Sequence, residues 1–370
     1  MTRVLEVIGK RPQGGIGAFI TNYQSHFKGN DVCLDYLIFN DEPTGSFDQK
    51  VKAMGSNIYV LPELRNTRLF NIWKSINNFF HDNKGKYDAV HLHSVNIAFM
   101  IFPAARRNGI KYLLSHSHST VYSDKKLNAF RNYFLCKGIK KQATHFLACS
   151  VAASDFLYGI ENRESVLVFK NAIECSNYSF VTEIRNEYRK FFDFEDQLII
   201  GHVGRFSETK NQKFLIEVFR DICDINDNAV LMLVGDGPLK IEIEKKVLNY
   251  GLSDKVLFLG QRDDVNKLMM AMDVFVLPSI YEGLPVVGVE AQASGLTCFM
   301  SDTITDEVEI TNVEFMSIND GPKAWAERIC NVKLNSDSHR REDSKAVAAK
   351  GYDINQEADN LYEFYRRLSM

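Results

Sequence analysis

Twelve short runs rich in aliphatic and β-branched residues alternate along the chain with longer segments of helical spacing, and this alternation constrains the fold more than any other feature. A strand buried on both faces reads as a continuous apolar run, and a parallel neighbour needs a crossover helix. The first six runs are Val4–Ile8, Leu34–Phe39, Ile58–Leu61, Ala89–Leu92, Lys111–His116 and Phe146–Ser150. Helical spacing falls between them at 70–83 and 96–108, and 125–142 reads as a basic amphipathic helix. A second series follows at Leu198–Val203, Val230–Val234, Val256–Leu259, Val274–Leu277, Thr297–Met300 and Glu314–Ser317. Its helices fall near 210–225, 238–250, 264–272 and 285–294. The polar, weakly periodic stretch 171–197 predicts the domain boundary. Residues 331–350 read as polar connection, and 354–369 as a last helix with Leu361, Phe364 and Leu368 on one face. The expectation is an α/β protein of two doubly wound, Rossmann-like domains, with ligand sites at the C-terminal ends of the strands.

The length, 370 residues, allows two such cores, and 45% hydrophobic with 25% charged residues is ordinary for a globular protein. No apolar run approaches the roughly 18–20 residues of a membrane span. The opening residues form a short strand holding one acid, Glu6, rather than a secretory leader, so a cytoplasmic location is expected. Seven scattered cysteines without a C-x-x-C pair argue against a zinc ribbon or a disulfide framework. Charge is uneven: residues 1–170 hold 22 Lys+Arg against 13 Asp+Glu, and residues 171–370 hold 22 against 34. A basic first half suits an anionic partner. No acid occurs from Lys125 to Ser154, a span containing Lys126, Arg131, Lys137, Lys140 and Lys141. Leu127, Phe130, Phe134 and Leu135 on this helix either pack on the sheet or face an anionic membrane surface.

Three motifs carry chemistry. The strongest is Tyr281-Glu282-Gly283-Leu284-Pro285-Val286-Val287-Gly288-Val289-Glu290, directly after a strand. Pro285 suits the first helical position, where its missing N–H costs nothing. Amides around Gly283 and Leu284 then make a helix N-terminus that favours phosphate. Glu282 and Glu290 can accept from sugar and ribose hydroxyls, or lie on a solvated helix face. The second is Gly204-Arg205 with Lys210-Asn211: two cations five residues apart after a strand suit a diphosphate, or are ordinary loop charges. The third is Gly14-Gly15-Ile16-Gly17, a Gly-rich turn that does not meet the G-x-G-x-x-G spacing; in a dinucleotide reading Asp35 would be the ribose acid. Two H-x-H pairs, His91/His93 and His116/His118, lack an acid at ligand spacing, so no metal site is expected there.

With these residues assembled, the chain resembles the retaining glycosyltransferases of family four, which have the GT-B fold of two Rossmann-like domains facing across a cleft. Lys170-Asn171-Ala172-Ile173-Glu174 is similar to that family's hinge, with Ala172 and Glu174 in place of its Gly and Asp, and Val234-Gly235-Asp236-Gly237-Pro238 also matches in order. His116-Ser117-His118-Ser119 and Ser301-Asp302-Thr303 look most like capsule and exopolysaccharide enzymes. The resemblance implies an acceptor-side domain, 1–170, rejoined by a helix at 354–370, and a nucleotide-sugar domain, 171–353. It implies that Glu290 holds the donor ribose and Glu282 the transferred sugar. Arg205 and Lys210 would neutralise the leaving diphosphate. Gly14 and Gly15 would approach a substrate, His116 would contact the sugar, and Arg262 would lie by the nucleobase through backbone groups, with Gly283, Leu284, Pro285 and Val286 around the donor. The implied reaction moves a hexose or N-acetylhexosamine, with retention, from a UDP-sugar to a polyprenyl-diphosphate-linked glycan in surface polysaccharide synthesis, at the inner face of the cell membrane. It needs no cofactor, metal or nucleic acid. Competing readings are a GT-B sugar-nucleotide epimerase, a NAD-linked oxidoreductase and a silent binding subunit.

Overall fold

The computed structural model describes residues 1–10, 15–39, 45–64, 69–123 and 126–369. The chain forms two compact units, Met1–Ala172 with Ile354–Met370, and Ile173–Asp353. The first holds a seven-stranded parallel sheet: β1 (Thr2–Ile8), β2 (Val32–Phe39), β3 (Ile58–Leu61), β4 (Ala89–Leu92), β5 (Tyr112–Ser117), β6 (His145–Ala148) and β7 (Val166–Val168). Its spatial order is β3-β2-β1-β4-β5-β6-β7. The second holds a six-stranded sheet of β8 (Leu198–Val203), β9 (Ala229–Val234), β10 (Val256–Gly260), β11 (Val274–Leu277), β12 (Thr297–Ser301) and β13 (Val313–Met316), in the order β10-β9-β8-β11-β12-β13. Every pairing in both sheets is parallel, and helices cover both faces. The doubly wound architecture is the one that the alternating pattern predicts.

Each sheet reverses its strand order once, between β1 and β4 in the first unit and between β8 and β11 in the second. Loops leaving the two central strands diverge there and open a crevice at the strand C-termini. Both groups of residues described below sit in such crevices.

The structure departs from the sequence expectation in three places. β7 falls in a stretch with no predicted strand; it is three residues long and lies at the sheet edge. The predicted helix 125–142 is broken by Gly138 into Lys126–Cys136 and Ile139–Gln142. The polar stretches 171–197 and 331–350 contain helices Thr182–Phe191 and Asp337–Val347. These helices bring few apolar side chains to the core, Val347 and the partly buried Tyr188 among them, and pack largely through arginine. Arg189 donates to the Ala271 carbonyl and to Asp273, Arg185 to the carbonyls of Met270, Ala271 and Met272, and Arg340 to those of Met269, Met272 and Ser294.

Candidate active site

In the second unit, β8 runs out into Gly204, Arg205 and the short turn Glu208–Lys210, and β11 into Pro278–Pro285. Two hydrogen bonds tie these loops: Ile280 N–H donates to the Thr209 carbonyl (2.8 Å), and Asn211 Nδ2 to the Pro278 carbonyl (3.1 Å). Asn211 adopts the left-handed conformation, φ 55° and ψ 39°, which Asn tolerates better than most residues. The tie delivers Lys210 to Glu282, with Nζ 2.6 Å from Oε1 and both side chains largely buried. Ser279 Oγ donates to the same oxygen at 2.9 Å. The exposed Arg205 guanidinium has no partner among the described residues.

The backbone around Arg205 is fixed by its neighbour loop. Gly235 has φ +130°, and a Cβ on it would run into the Gly204 carbonyl oxygen; a Cβ on Gly237 would run into that of Phe206. Phe206 N–H donates to the Asp236 carbonyl at 3.0 Å. Only glycine lets these two backbones lie so close.

Helix Val286–Ala293 starts one residue later than predicted, with Pro285 as its N-cap at φ −73°, ψ 107°. The shift costs nothing, because the N-cap N–H lies outside the helical ladder just as the first helical one does. Gly283 is open, since a Cβ there would meet nothing within 4 Å, while Leu284 is buried and Val286 half-buried. Glu290, about one turn into the helix, accepts from the Tyr178 hydroxyl at 2.8 Å. Burial pushes its carboxyl pKa up, and the Tyr178 hydrogen bond partly opposes this. Tyr178 and Ser279 carry no signal of this role in the sequence. Arg262 donates to both Asp264 carboxylate oxygens (2.7 and 2.8 Å), so its guanidinium is already committed.

In the first unit a cavity of about 530 Å³ opens at the crevice between β1 and β4, lined by Gly9, Ser94, Asn96, His118, Ser119 and Asn132 among others. Gly15 opens helix Gly15–Ser25; Gly14 lies outside the described residues. His116, expected to contact the sugar, is 0% exposed inside the sheet, with Nδ1 3.0 Å from His91 Nε2. The reason is its place within β5, enclosed by neighbouring strands, whereas His118 lies just past the strand end and lines the cavity.

The histidine pairs do have an acid beside them. β1 aligns with β4 so that Glu6 is the partner of His91, and Glu6 Oε2 is 2.6 Å from His93 Nε2. Ring nitrogens of His91, His93 and His116 lie within 4.8 Å of one another; all but His116 Nε2 are engaged by Glu6, Tyr365, His118 and each other, and His116 Nε2 is buried with no hydrogen-bond partner among the described residues. Asp35 is not free for a ribose: it accepts from Asn57 N–H (2.9 Å) and Tyr87 (2.8 Å) and pairs with Lys86 (3.1 Å).

Helix Lys126–Cys136 turns Cys136 and Asn132 to the cavity. Its opposite face carries Leu127 (87% exposed), Phe130 (68%) and Phe134 (54%). Leu127, Phe130 and Phe134 therefore do not pack on the sheet, while Leu135 is half-buried. Among the described residues no helix is long and apolar enough to cross a membrane.

The profile of the family "Glycosyl transferases group 1" matches residues 184–349, a span that holds Arg205, Lys210, Arg262, Glu282 and Glu290. The chain is 33% identical to EpsF of Bacillus subtilis (strain 168), a glycosyltransferase by name, over 98% of this chain and 96% of that one. It is 26% identical, over 70% of this chain and 68% of the relative, to the UDP-Gal:alpha-D-GlcNAc-diphosphoundecaprenol alpha-1,3-galactosyltransferase of Escherichia coli. Among solved structures, Anabaena HepE in complex with UDP and glucose superposes with TM-score 0.77 at 18% identity, over 98% of this chain and 99% of that one.

Proposed function

Because the chain belongs to the group 1 glycosyltransferases and has the GT-B fold, we propose that it transfers a hexose or N-acetylhexosamine from a UDP-sugar to a lipid-linked glycan, with retention of configuration. The observation that carries this reading is the Lys210–Glu282 pair held between the two switch-point loops of the second unit, with Glu290 on the adjoining helix and accepting from Tyr178. The choice of UDP is supported by the UDP-Gal in the name of the E. coli relative and the UDP bound to HepE. The lipid-linked acceptor is supported by the diphosphoundecaprenol in that same name. The pathway we assign is bacterial surface polysaccharide synthesis.

The chemistry follows from charge. Breaking the anomeric C–O bond builds positive charge on the sugar and negative charge on the departing diphosphate. Arg205, Lys210 and the first amides of helix Val286–Ala293 supply fixed positive charge for the diphosphate, which stabilises the transition state. Glu282 accepts from hydroxyls of the transferred sugar and aims Lys210; Glu290 accepts from the ribose diol. These cations can do the work that a divalent metal does elsewhere. With no dedicated nucleophile among the residues assigned, attack from the face that the diphosphate leaves is the favoured route to retention. In the first unit, His118 replaces His116 as the group offered to a sugar.

The enzyme works at the inner membrane face as a peripheral protein in this reading. The outward Leu127, Phe130 and Phe134 with Lys126, Arg131 and Lys137 on the same helix and just past it support that placement. The test of the reaction is incubation of the purified protein with a panel of UDP-sugars and a polyprenyl-diphosphate glycan. Lipid-linked product with retained configuration is expected. Conversion of donor alone to an epimer would replace the reading with that of an epimerase.

A further inference from the structure

Glu6 stands at the head of a buried hydrogen-bonded chain that ends at the cavity of the first unit. Its Oε2 is 2.6 Å from His93 Nε2, and His93 Nδ1 is 2.7 Å from His118 Nε2. Its other oxygen, Oε1, accepts from the Tyr365 hydroxyl at 2.8 Å. Glu6 and His93 are buried, and both His93 and His118 border the cavity, which Ser94, Asn96 and Asn132 also line. Phe19 packs edge-on against the His118 ring, with centroids 5.3 Å apart, and helps to fix its plane.

The donors and acceptors in this chain have one consistent assignment. An ionised carboxylate only accepts, so His93 Nε2 carries a hydrogen. A neutral imidazole carries a single ring hydrogen, so His93 Nδ1 accepts and His118 Nε2 donates to it. His118 Nδ1 is then left with a lone pair, and it has no partner among the described residues. The charge states this requires have physical causes. Burial pushes the Glu6 carboxyl up, but the pull of His91 and His93 outweighs it and holds the group far below the usual carboxylate range. Burial pushes His93 down to about 4 against the opposing pull of Glu6. Burial, with His93 and His91 alongside, pushes His118 well below the usual imidazole value.

We infer that Glu6, acting through His93, holds His118 as a fixed hydrogen-bond acceptor for a sugar hydroxyl in this cavity. Glu6 and His93 are positioning residues, and His118 is the contact that sets specificity. The inference rests on the sugar-transfer reading above and adds to it a defined tautomer and a direction of hydrogen bonding. The hydroxyl belongs either to the donor sugar or to the acceptor glycan, and the two sources separate kinetically. His118 acts as an acceptor and does not retain the proton, because its buried neighbours disfavour the imidazolium.

The first test needs no turnover. In protein labelled with ¹⁵N-histidine at pH 7, with the His118 signals assigned by their loss in His118→Asn, the His118 ring is expected as the Nε2–H tautomer alone. An Nδ1–H form, a tautomer mixture or an imidazolium overturns the proposal. The second test is kinetic. His118→Asn places an amide oxygen where Nδ1 was, and His118→Gln places its amide where Nε2 was. His118→Gln should lose about tenfold or more in kcat/KM, the value of one hydrogen bond, while His118→Asn recovers most of it. The loss should appear in the KM of a single substrate, donor or acceptor, which identifies whose hydroxyl is bound. His93→Gln keeps a polar partner for Glu6 but removes the acceptor for His118. It should raise the same KM, and combining it with His118→Gln should add little. Equal activity of the Asn and Gln variants, or additive losses in the double variant, overturns the relay. Absence of sugar transfer by the wild-type protein would instead remove the functional reading and leave the tautomer test standing.

Discussion

Lys210 Nζ lies 2.6 Å from Glu282 Oε1, although the two residues are 72 positions apart and leave different strands of the second sheet. The carboxylate fixes where the ammonium sits before any diphosphate arrives. Replacing Lys210 with Ala should lower turnover roughly 10²-fold, the usual cost of losing one preorganised charge-stabilising group. Donor KM should change much less, because the charge is needed most in the transition state. Steady-state kinetics checks this, and wild-type turnover would remove Lys210 from the site.

Activity should survive excess EDTA, since Arg205 and Lys210 are assigned to the diphosphate. Full loss with EDTA, restored by Mg²⁺ or Mn²⁺, would put a metal in that role.

Glu290 and Tyr178 should behave as a coupled pair in nucleotide binding. Glu290→Gln replaces a charged acceptor and should weaken UDP binding by about 1.5–3 kcal/mol in calorimetry. Tyr178→Phe should weaken it less, by loosening the carboxylate. Burial raises the Glu290 pKa, so UDP affinity should fall as pH drops through that raised value and the carboxyl gains its proton. Affinity that is flat in acid, or unchanged in Glu290→Gln, contradicts the ribose assignment.

Acid should destabilise the protein earlier than carboxylate titration would. His93 and His202 are both buried, and burial lowers each to about 4 from the ordinary 6.5. Between those values the unfolded chain binds protons that the folded one does not, so stability rises with pH in that window. Lowering the pH from 7 to 5 should therefore lower the melting temperature. The ceiling is about 1.4 kcal/mol per pH unit for each histidine. Glu6, held low in the fold, adds a further loss below its unfolded value. A melting temperature that does not move between pH 7 and 5 would rule this out.

The outward face of helix Lys126–Cys136 gives a membrane prediction. Leu127→Ser, Phe130→Ser and Phe134→Ser together should leave the melting temperature nearly unchanged, because these side chains are exposed. They should reduce co-sedimentation with anionic vesicles at least tenfold. Lys126, Arg131 and Lys137 changed to Glu should remove the preference for anionic over neutral lipid, at about 1 kcal/mol per charge. Equal and negligible binding to both vesicle types at low salt would favour a soluble acceptor.

The strands were readable because parallel strands buried on both faces leave unbroken apolar runs; β3, β4, β8 and β11 have the predicted bounds. Helices Thr182–Phe191 and Asp337–Val347 escaped notice because they bring few apolar side chains, such as Tyr188 and Val347, to the core, and arginine guanidiniums supply much of their attachment. The Glu282 and Glu290 motif was legible because a local turn and helix carry it. Its partners Ser279 and Tyr178 show only in three dimensions. The choice between His116 and His118 turned on where β5 ends, and strand ends are what periodicity marks least well. Glu6 stood out as an acid in an apolar strand, but only the β1–β4 register joins it to the histidines.

Helix Ile354–Leu368 belongs to the first unit, where Tyr365 reaches Glu6 and Ile354, Ala358, Leu361 and Leu368 fill the core beside Val4, Ile8 and Leu34. The ribosome makes that helix only after residues 173–353, which takes about 10–40 s at typical rates of synthesis. Through that interval the nascent first unit carries an uncovered apolar flank and an unfinished carboxylate network. The second unit, continuous in sequence, has its entire core in hand before then. The half of the protein that is translated first is therefore the half that finishes folding last, and a chaperone acting on the nascent chain would find its apolar binding surface on that open flank.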